Sequence, residues 1–256
     1  MRSKSDRVFH LGLNAEMVEG VELVLLPGDP QRVPKIAKYL QNPQVLANQR
    51  EFHSMLGEHN GQKVLVTSTG IGGPSTAIAV EELAMLGLKS FLRIGTTGAI
   101  QEDIEPGDLI VSTAAVRMDG ASRHIAPIEY PAVANYQMVH ALMQAGKELK
   151  VKIHNGITAS SDTFYQGQNR HDSFQKGFVI REMRDKISEL KALGVLSYEM
   201  EAATIFTQAA CFGLRAGCVL GVLVNRNRNE FPSEETVRQT EENVIQMAIE
   251  ALKYLA

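Results

Sequence analysis

Apolar runs alternate along this chain with stretches of helical periodicity. The runs cover 22–27, 63–69, 90–96, 108–114, 153–160, 195–200 and 215–224, and the helical stretches lie near 30–40, 75–87, 134–149, 201–212 and 233–255. Several runs are apolar without a break, as in Cys218-Val219-Leu220-Gly221-Val222-Leu223-Val224, the pattern of strands buried on both faces. The alternation predicts an α/β fold: one domain over 1–256, with a central mixed, mostly parallel β-sheet covered by helices. The last helix is the clearest, with Ser233 as its cap, Glu234 and Glu235 against its dipole, and an apolar stripe of Val237, Val244, Ala248, Ala251 and Leu255. The segment 163–194 breaks the rhythm. It is polar and reads either as a solvated loop with a short helix or as a recognition loop with a cover.

Where apolar runs end, glycine turns begin. Ser68-Thr69-Gly70-Ile71-Gly72-Gly73-Pro74-Ser75 joins a strand to a helix, and such a junction brings bare backbone N–H groups close to a ligand. Two more turns carry cations: Pro27-Gly28-Asp29-Pro30-Gln31-Arg32 and Arg93-Ile94-Gly95-Thr96-Thr97-Gly98. None is a nucleotide fingerprint. Ser75 stands where a dinucleotide fold needs glycine, no Gly-Lys-Ser or Gly-Lys-Thr occurs, and Gly73-Pro74-Ser75-Thr76-Ala77 is one residue short of a nucleophile elbow. The three turns together predict a site for a small anion such as phosphate.

Composition narrows the picture by exclusion. The 256 residues are 44% hydrophobic and carry a formal charge of -3, which supports a large core and gives no basic stripe for nucleic acid. No run of apolar residues is long enough to span a membrane, and Met1 to Arg7 leads into no secretion signal. Cys211 and Cys218 lack metal or redox spacing and read as reduced core cysteines of a cytoplasmic protein. The histidines show no zinc spacing.

Arg32, Arg50 and Arg93 are candidates for an anion clamp, because a guanidinium offers paired donors to phosphate oxygens. Arg50 alone reads as a surface residue. Arg93 interrupts the apolar run Phe91-Leu92-Arg93-Ile94, where an unpaired charge would cost several kcal/mol, so it needs a partner; a bound anion is one. Glu199 and Glu201 are two apart and face the same way in an extended segment. Such a pair could serve glycosidic chemistry, accept hydrogen bonds from sugar hydroxyls, or stabilise a helix N-terminus. In the polar insertion, Phe164 can stack on a base, Gln168 matches the N–H and C=O edge of a uracil-like ring, and Arg170 can hold negative charge on it. His10, next to Phe9, reads by itself as terminal packing.

With these residues assembled, the chain resembles the nucleoside phosphorylase family over nearly its whole length. The run 68–83 fits that family's signature, and further matching runs are Val8 to Leu13, Pro27-Gly28-Asp29-Pro30, Phe91 to Ile100, Asp119-Gly120-Ala121-Ser122, Ala159 to Tyr165, Tyr198-Glu199-Met200-Glu201 and Val224-Asn225-Arg226. The resemblance implies cleavage of uridine by phosphate, the co-substrate, with no cofactor required. It assigns phosphate to Gly28, Arg32, Arg93 and Thr96, with Arg50 from a neighbouring subunit. It assigns ribose to Met200 and Glu201, with the neighbour's His10, and uracil to Phe164, Gln168, Arg170 and Arg226. The catalytic set it implies is Arg93, Glu201, Gln168 and Arg170. A homohexamer, a trimer of dimers, is implied, and Glu51, Ile71 and Ser75 match positions that hold potassium between subunits. The purine branch would place an Asp after the strand 217–224, where this chain has Asn225-Arg226-Asn227. Gln166 and Arg123 depart from the family pattern, and 173–196 matches it poorly. Two alternatives stand beside this reading: a non-catalytic nucleoside binder, which would not need the phosphate residues, and a hydrolase, which would leave Arg32 and Arg93 without a ligand.

Overall fold

The computed structural model describes residues 3–170, 172–228 and 231–255. Among these residues, ten strands form one mixed sheet: β1 (Val21–Pro27), β2 (Gln41–Gln49), β3 (Phe52–His59), β4 (Gln62–Thr67), β5 (Ser90–Ala99), β6 (Leu109–Met118), β7 (Ala132–Val133), β8 (Ile153–Ser161), β9 (Ser197–Glu199) and β10 (Arg215–Asn225). Seven α-helices accompany them: α1 (Arg32–Ala37), α2 (Gly73–Met85), α3 (Ala121–Ile125), α4 (Tyr136–Leu149), α5 (Lys186–Ala192), α6 (Ala202–Cys211) and α7 (Glu234–Ala251).

The expected helix-covered mixed sheet is present, and it also closes on itself. β10 pairs with both β5 and β6, so β5, β10, β6, β8 and β9 form a ring, from which β1, β4, β3 and β2 extend. The parallel pairs β4–β1–β5–β10 bring the ends of β1, β4 and β5 to one edge, where the three glycine turns meet.

Strand alternation feeds two apolar layers. Val24, Leu26 and Phe91 face α2 and α6, while Leu25, Leu92 and Ile94 face α1, α4 and α7. This two-sided burial is why the runs in β1, β5 and β10 carry no polar alternation. The same parity points Arg93 to the α2/α6 side, toward the start of α6. Ser233 caps α7 by accepting from the Thr236 N–H at 3.1 Å, and Val244, Ala248 and Ala251 are buried as the stripe predicts.

Two features differ from the sequence expectations, and a third fits one of their alternatives, a loop with a short helix. The hairpin β2–β3 lies in a stretch read as neither strand nor helix, because β2 is exposed along most of its length and its turn holds Arg50 at φ 53° with no glycine to mark it. Cys218 is a free core cysteine as expected, but Cys211 is exposed at the end of α6. The insertion 163–194 contains α5 and a 3-10 turn at Arg181–Met183, and it exposes Phe174, Phe178 and Ile180. No helix of the described residues is long and apolar enough to cross a membrane.

Candidate active site

A cavity of about 720 Å³ opens where the glycine turns meet. Gly28, Arg32, Arg93 and Thr96 line it, together with Met200, Glu201, Phe164, Gln168 and Arg170, so residues far apart in the sequence share one wall. Glu51, Ile71 and Ser75 lie on the same lining. Arg50, His10 and Arg226 do not line it. Arg50 is exposed at the β2–β3 turn. His10 packs on Glu82 of α2, which accepts from the His10 and Leu11 N–H groups and lies 2.7 Å from His10 Nδ1. Burial pushes Glu82 up, but those hydrogen bonds outweigh it and hold its carboxyl below the usual range.

Arg93 finds its partners inside the chain. Its Nε donates to Glu199 Oε2 at 3.0 Å, and its Nη2 sits 2.5 Å from Glu201 Oε2, with all three side chains buried. The bound anion expected as the partner of this charge is therefore not required to neutralise it; two carboxylates do so. Gly95 makes room, since a Cβ there would lie 2.8 Å from Arg93 Nη2. Glu199 also accepts from the Glu201 and Ala202 N–H groups at the start of α6, and the Ser160 hydroxyl donates to its other oxygen. Glu201 accepts from the Gly72 N–H at 2.6 Å. Burial pushes the Glu201 carboxyl up, with Arg93 opposing. The two carboxylates form a buried cradle for Arg93, each held in a different way.

Arg32 is placed by α7. Its Nη2 donates to Glu241 Oε1 at 3.0 Å, and Lys35 Nζ reaches the other oxygen at 2.7 Å. Burial raises the Glu241 carboxyl, but Lys35 and Arg32 outweigh it and hold the group low. Arg32 Nε and Arg93 Nη1 are buried and have no hydrogen-bond partner among the described residues. Buried donors of this kind are costly unless something accepts from them.

The opposite wall comes from the loop after β8. Gln168 and Arg170 are buried in it, and the Arg170 guanidinium lies 3.9 Å over the Phe164 ring, which is itself half-exposed. Arg226 stands behind this loop: its Nη1 donates to the Gln168 carbonyl at 2.6 Å, and its guanidinium lies over Tyr198. Burial pushes the Tyr198 hydroxyl up to about 12. Asn225 is spent on backbone, donating to the Gln101 and Ile104 carbonyls.

Glu241 and Ser160 escaped the sequence reading. Glu241 had a signal: it falls on the buried stripe of α7, four residues after Val237 and three before Val244. Ser160 had none, because it is one of three hydroxyl residues, with Thr158 and Ser161, in the last four positions of β8 and nothing in the sequence singles it out.

The sequence pattern of the Phosphorylase superfamily matches residues 22–256. A uridine phosphorylase of Salmonella typhimurium is 53% identical to this chain over 99% of both chains, as is one of Escherichia coli (strain K12). A uridine phosphorylase of Haemophilus influenzae is 52% identical over 97% of this chain and 98% of its own. A match across most of the sheet and through both walls of the cavity establishes that this chain belongs to the phosphorylase superfamily.

Proposed function

We propose that this chain is a pentosyltransferase that catalyses the reversible phosphorolysis of uridine to uracil and ribose 1-phosphate, in pyrimidine nucleoside salvage and catabolism. The observation that carries the reading is the pair of cavity-lining arginines, Arg32 and Arg93, each with a buried guanidinium nitrogen that nothing in the described chain satisfies. An anion between the turns at Gly28 and Thr96 would accept from both. Full-length identity of 53% to uridine phosphorylases supports uridine as the nucleoside.

In this reading Glu201 and Met200 hold the ribose, and Phe164, Gln168 and Arg170 hold uracil, with Arg226 bracing the base loop through the Gln168 carbonyl. A phosphate oxygen forms a bond to C1′ while the C1′–N1 bond breaks, and its electron pair passes to the uracil ring. The sugar passes through an oxocarbenium-like state, stabilised by the phosphate anion that captures it. Arg170 and Gln168 stabilise the negative charge on the leaving base, and water returns a proton to it. No side chain acts as a nucleophile; positioning and electrostatics carry the rate. The purine branch would carry an Asp in the stretch that here reads Asn225-Arg226-Asn227, and Asn225 is committed to backbone carbonyls, which supports a pyrimidine.

The charge count supports shared active sites. Around the two turns, Arg32, Lys35 and Arg93 face Glu241, Glu199 and Glu201, so the charges there balance within one chain and a phosphate between them calls for a further cation. Arg50 from a neighbouring copy supplies it, with the neighbour's His10 on the ribose, in a homohexamer built as a trimer of dimers. Glu51, Ile71 and Ser75 offer oxygen ligands fit for potassium: a Cβ at Gly70 would fall 2.7 Å from Glu51 Cγ and 2.9 Å from Ser75 Oγ, so the three share one nook. Two free cysteines, one exposed, suit a cytoplasmic enzyme.

The test is base release from uridine, with inosine in parallel, each with and without phosphate. Uracil release only with phosphate is expected. Inosine cleavage in place of uridine would overturn the base assignment, and phosphate-independent release would overturn the reaction.

A further inference from the structure

Behind the ribose end of the cavity lies a buried carboxylate that the reaction above does not use. Asp119, just past the end of β6, is 1% exposed. Its Oδ2 accepts from the Ser122 N–H at 2.8 Å and from the Thr204 hydroxyl at 2.7 Å, and its Oδ1 accepts from the Ser122 hydroxyl at 2.6 Å. Arg117 reaches it only through Ser122: Arg117 Nε donates to the Ser122 hydroxyl at 3.0 Å, while the rest of its guanidinium is taken by four backbone carbonyls of the following turn. A buried carboxylate that faces neutral donors and a relayed cation is retained at a desolvation cost, so its contacts define what it is for.

Those contacts lead to the site. Thr204 is in the first turn of α6, three residues after Glu201. Gly73 opens α2, next to the Gly72 N–H that donates to Glu201. A Cβ on Gly73 would lie 2.8 Å from Thr204 Oγ1 and 3.3 Å from Asp119 Oδ2, so the glycine turn is pressed directly onto this hydrogen bond.

We propose that Asp119 is a positioning residue for nucleoside binding: through Thr204 it clamps the start of α6 against the Gly72–Gly73 turn and so sets Glu201 on the ribose. This rests on the phosphorolysis reading of the cavity. The clamp is one-sided. Glu199 has an anchor outside α6, the Ser160 hydroxyl on β8, whereas Glu201 hangs from the start of α6 and meets Arg93 through one oxygen, so the Arg93 cradle keeps its Glu199 half when the clamp loosens. Loosening Asp119 therefore weakens the nucleoside arm first.

The experiment compares wild type with Asp119→Asn, Thr204→Val and Thr204→Ser in the full chain, measuring KM for uridine and for phosphate separately. Hydrogen exchange of the 68–77 segment is followed in parallel. Uracil release by wild type is the control; its absence would strike the phosphorolysis reading and leave exchange to judge the clamp. Thr204→Val, which keeps the shape but removes the donor, is expected to raise uridine KM about tenfold with phosphate KM within twofold, and to speed exchange in 68–77. Asp119→Asn should raise uridine KM less than Thr204→Val, because its carbonyl can still accept from the Ser122 N–H and the Thr204 hydroxyl while its amide faces the Ser122 hydroxyl and only the charge is lost. Thr204→Ser, which keeps the hydroxyl, should restore wild-type values. If Asp119→Asn does not fold, Thr204→Val decides. Equal changes in both KM values, unchanged exchange in 68–77, or a Thr204→Ser variant no better than Thr204→Val would each overturn the proposal.

Discussion

At the Arg93 end of the cavity the side chains sit on strand ends and helix starts, nearly sealed from solvent, and each carboxylate is held by several donors. At the Phe164 end they sit on a loop. Gln168 and Arg170 are buried there, but Phe164 and Tyr165 are about half exposed, and beyond them Phe174, Phe178 and Ile180 face outward. The first end is built to meet charge without rearranging, which is where electrostatic preorganisation contributes most. The second is built from turns whose bonds are local, such as the Thr163 hydroxyl accepting from the Gly167 N–H and the Tyr165 carbonyl accepting from the Arg170 N–H. Substitutions should therefore cost stability and turnover together at the first end, and uridine binding and turnover with little loss of stability at the second.

The most severe break in that contrast is Arg93→Ala. It leaves Glu199 and Glu201 buried without their cation, a loss of about 3–5 kcal/mol in stability, with turnover down roughly 10²–10³-fold. Thermal denaturation and steady-state rates measure both, and a stable variant with wild-type turnover would erase the distinction between the two ends.

A smaller effect with a sharper signature comes from Glu241→Gln. The pairing of Glu241 with Arg32 and Lys35 is partly exposed at the Lys35 side, so its loss is worth about 1–2 kcal/mol. Because the folded state holds this carboxyl below its usual 4.5, its contribution is complete above that pH and is lost as pH falls through the lower folded value. The Tm gap between wild type and Glu241→Gln should thus be full at neutral pH and close in acid. Removing one carboxylate also tips the charge around the turns positive, so phosphate KM should fall about two- to threefold even as stability drops. A gap that widens in acid would contradict the assignment.

The smallest effect belongs to the loop. Arg226→Ala removes one charge-assisted bond to the Gln168 carbonyl, worth roughly 1.5–3 kcal/mol at most when buried and less here, where the bond is only part-buried. Uridine KM should rise severalfold, while phosphate KM and Tm stay close to wild type. A fall in Tm comparable to that of Glu241→Gln would show that this loop is integral to the core.

Much of this molecule was legible in its sequence, for identifiable reasons. Period and continuity revealed β1, β4, β5, β6, β8 and β10, and the helices α2, α4, α6 and α7, because burial on one or two faces writes itself into neighbouring residues. Arg93 was legible as a charge in an apolar strand, and the glycine turns as places where backbone meets a ligand. The hairpin β2–β3 was not, since an exposed strand with a glycine-free turn has neither signal. The partners of the charged residues were equally hidden. Arg93 meets a carboxylate 106 residues away, Arg32 one 209 away, and Asp119 a hydroxyl 85 away. The closure of the sheet into a ring through β10 and the choice of carboxylates over an anion to neutralise Arg93 were decided only by tertiary structure. Local sterics and hydrophobic period act over a few residues and leave a trace there. Hydrogen bonds and ion pairs act over a few ångströms, and which groups come that close is settled only when the sheet has brought its strand ends together.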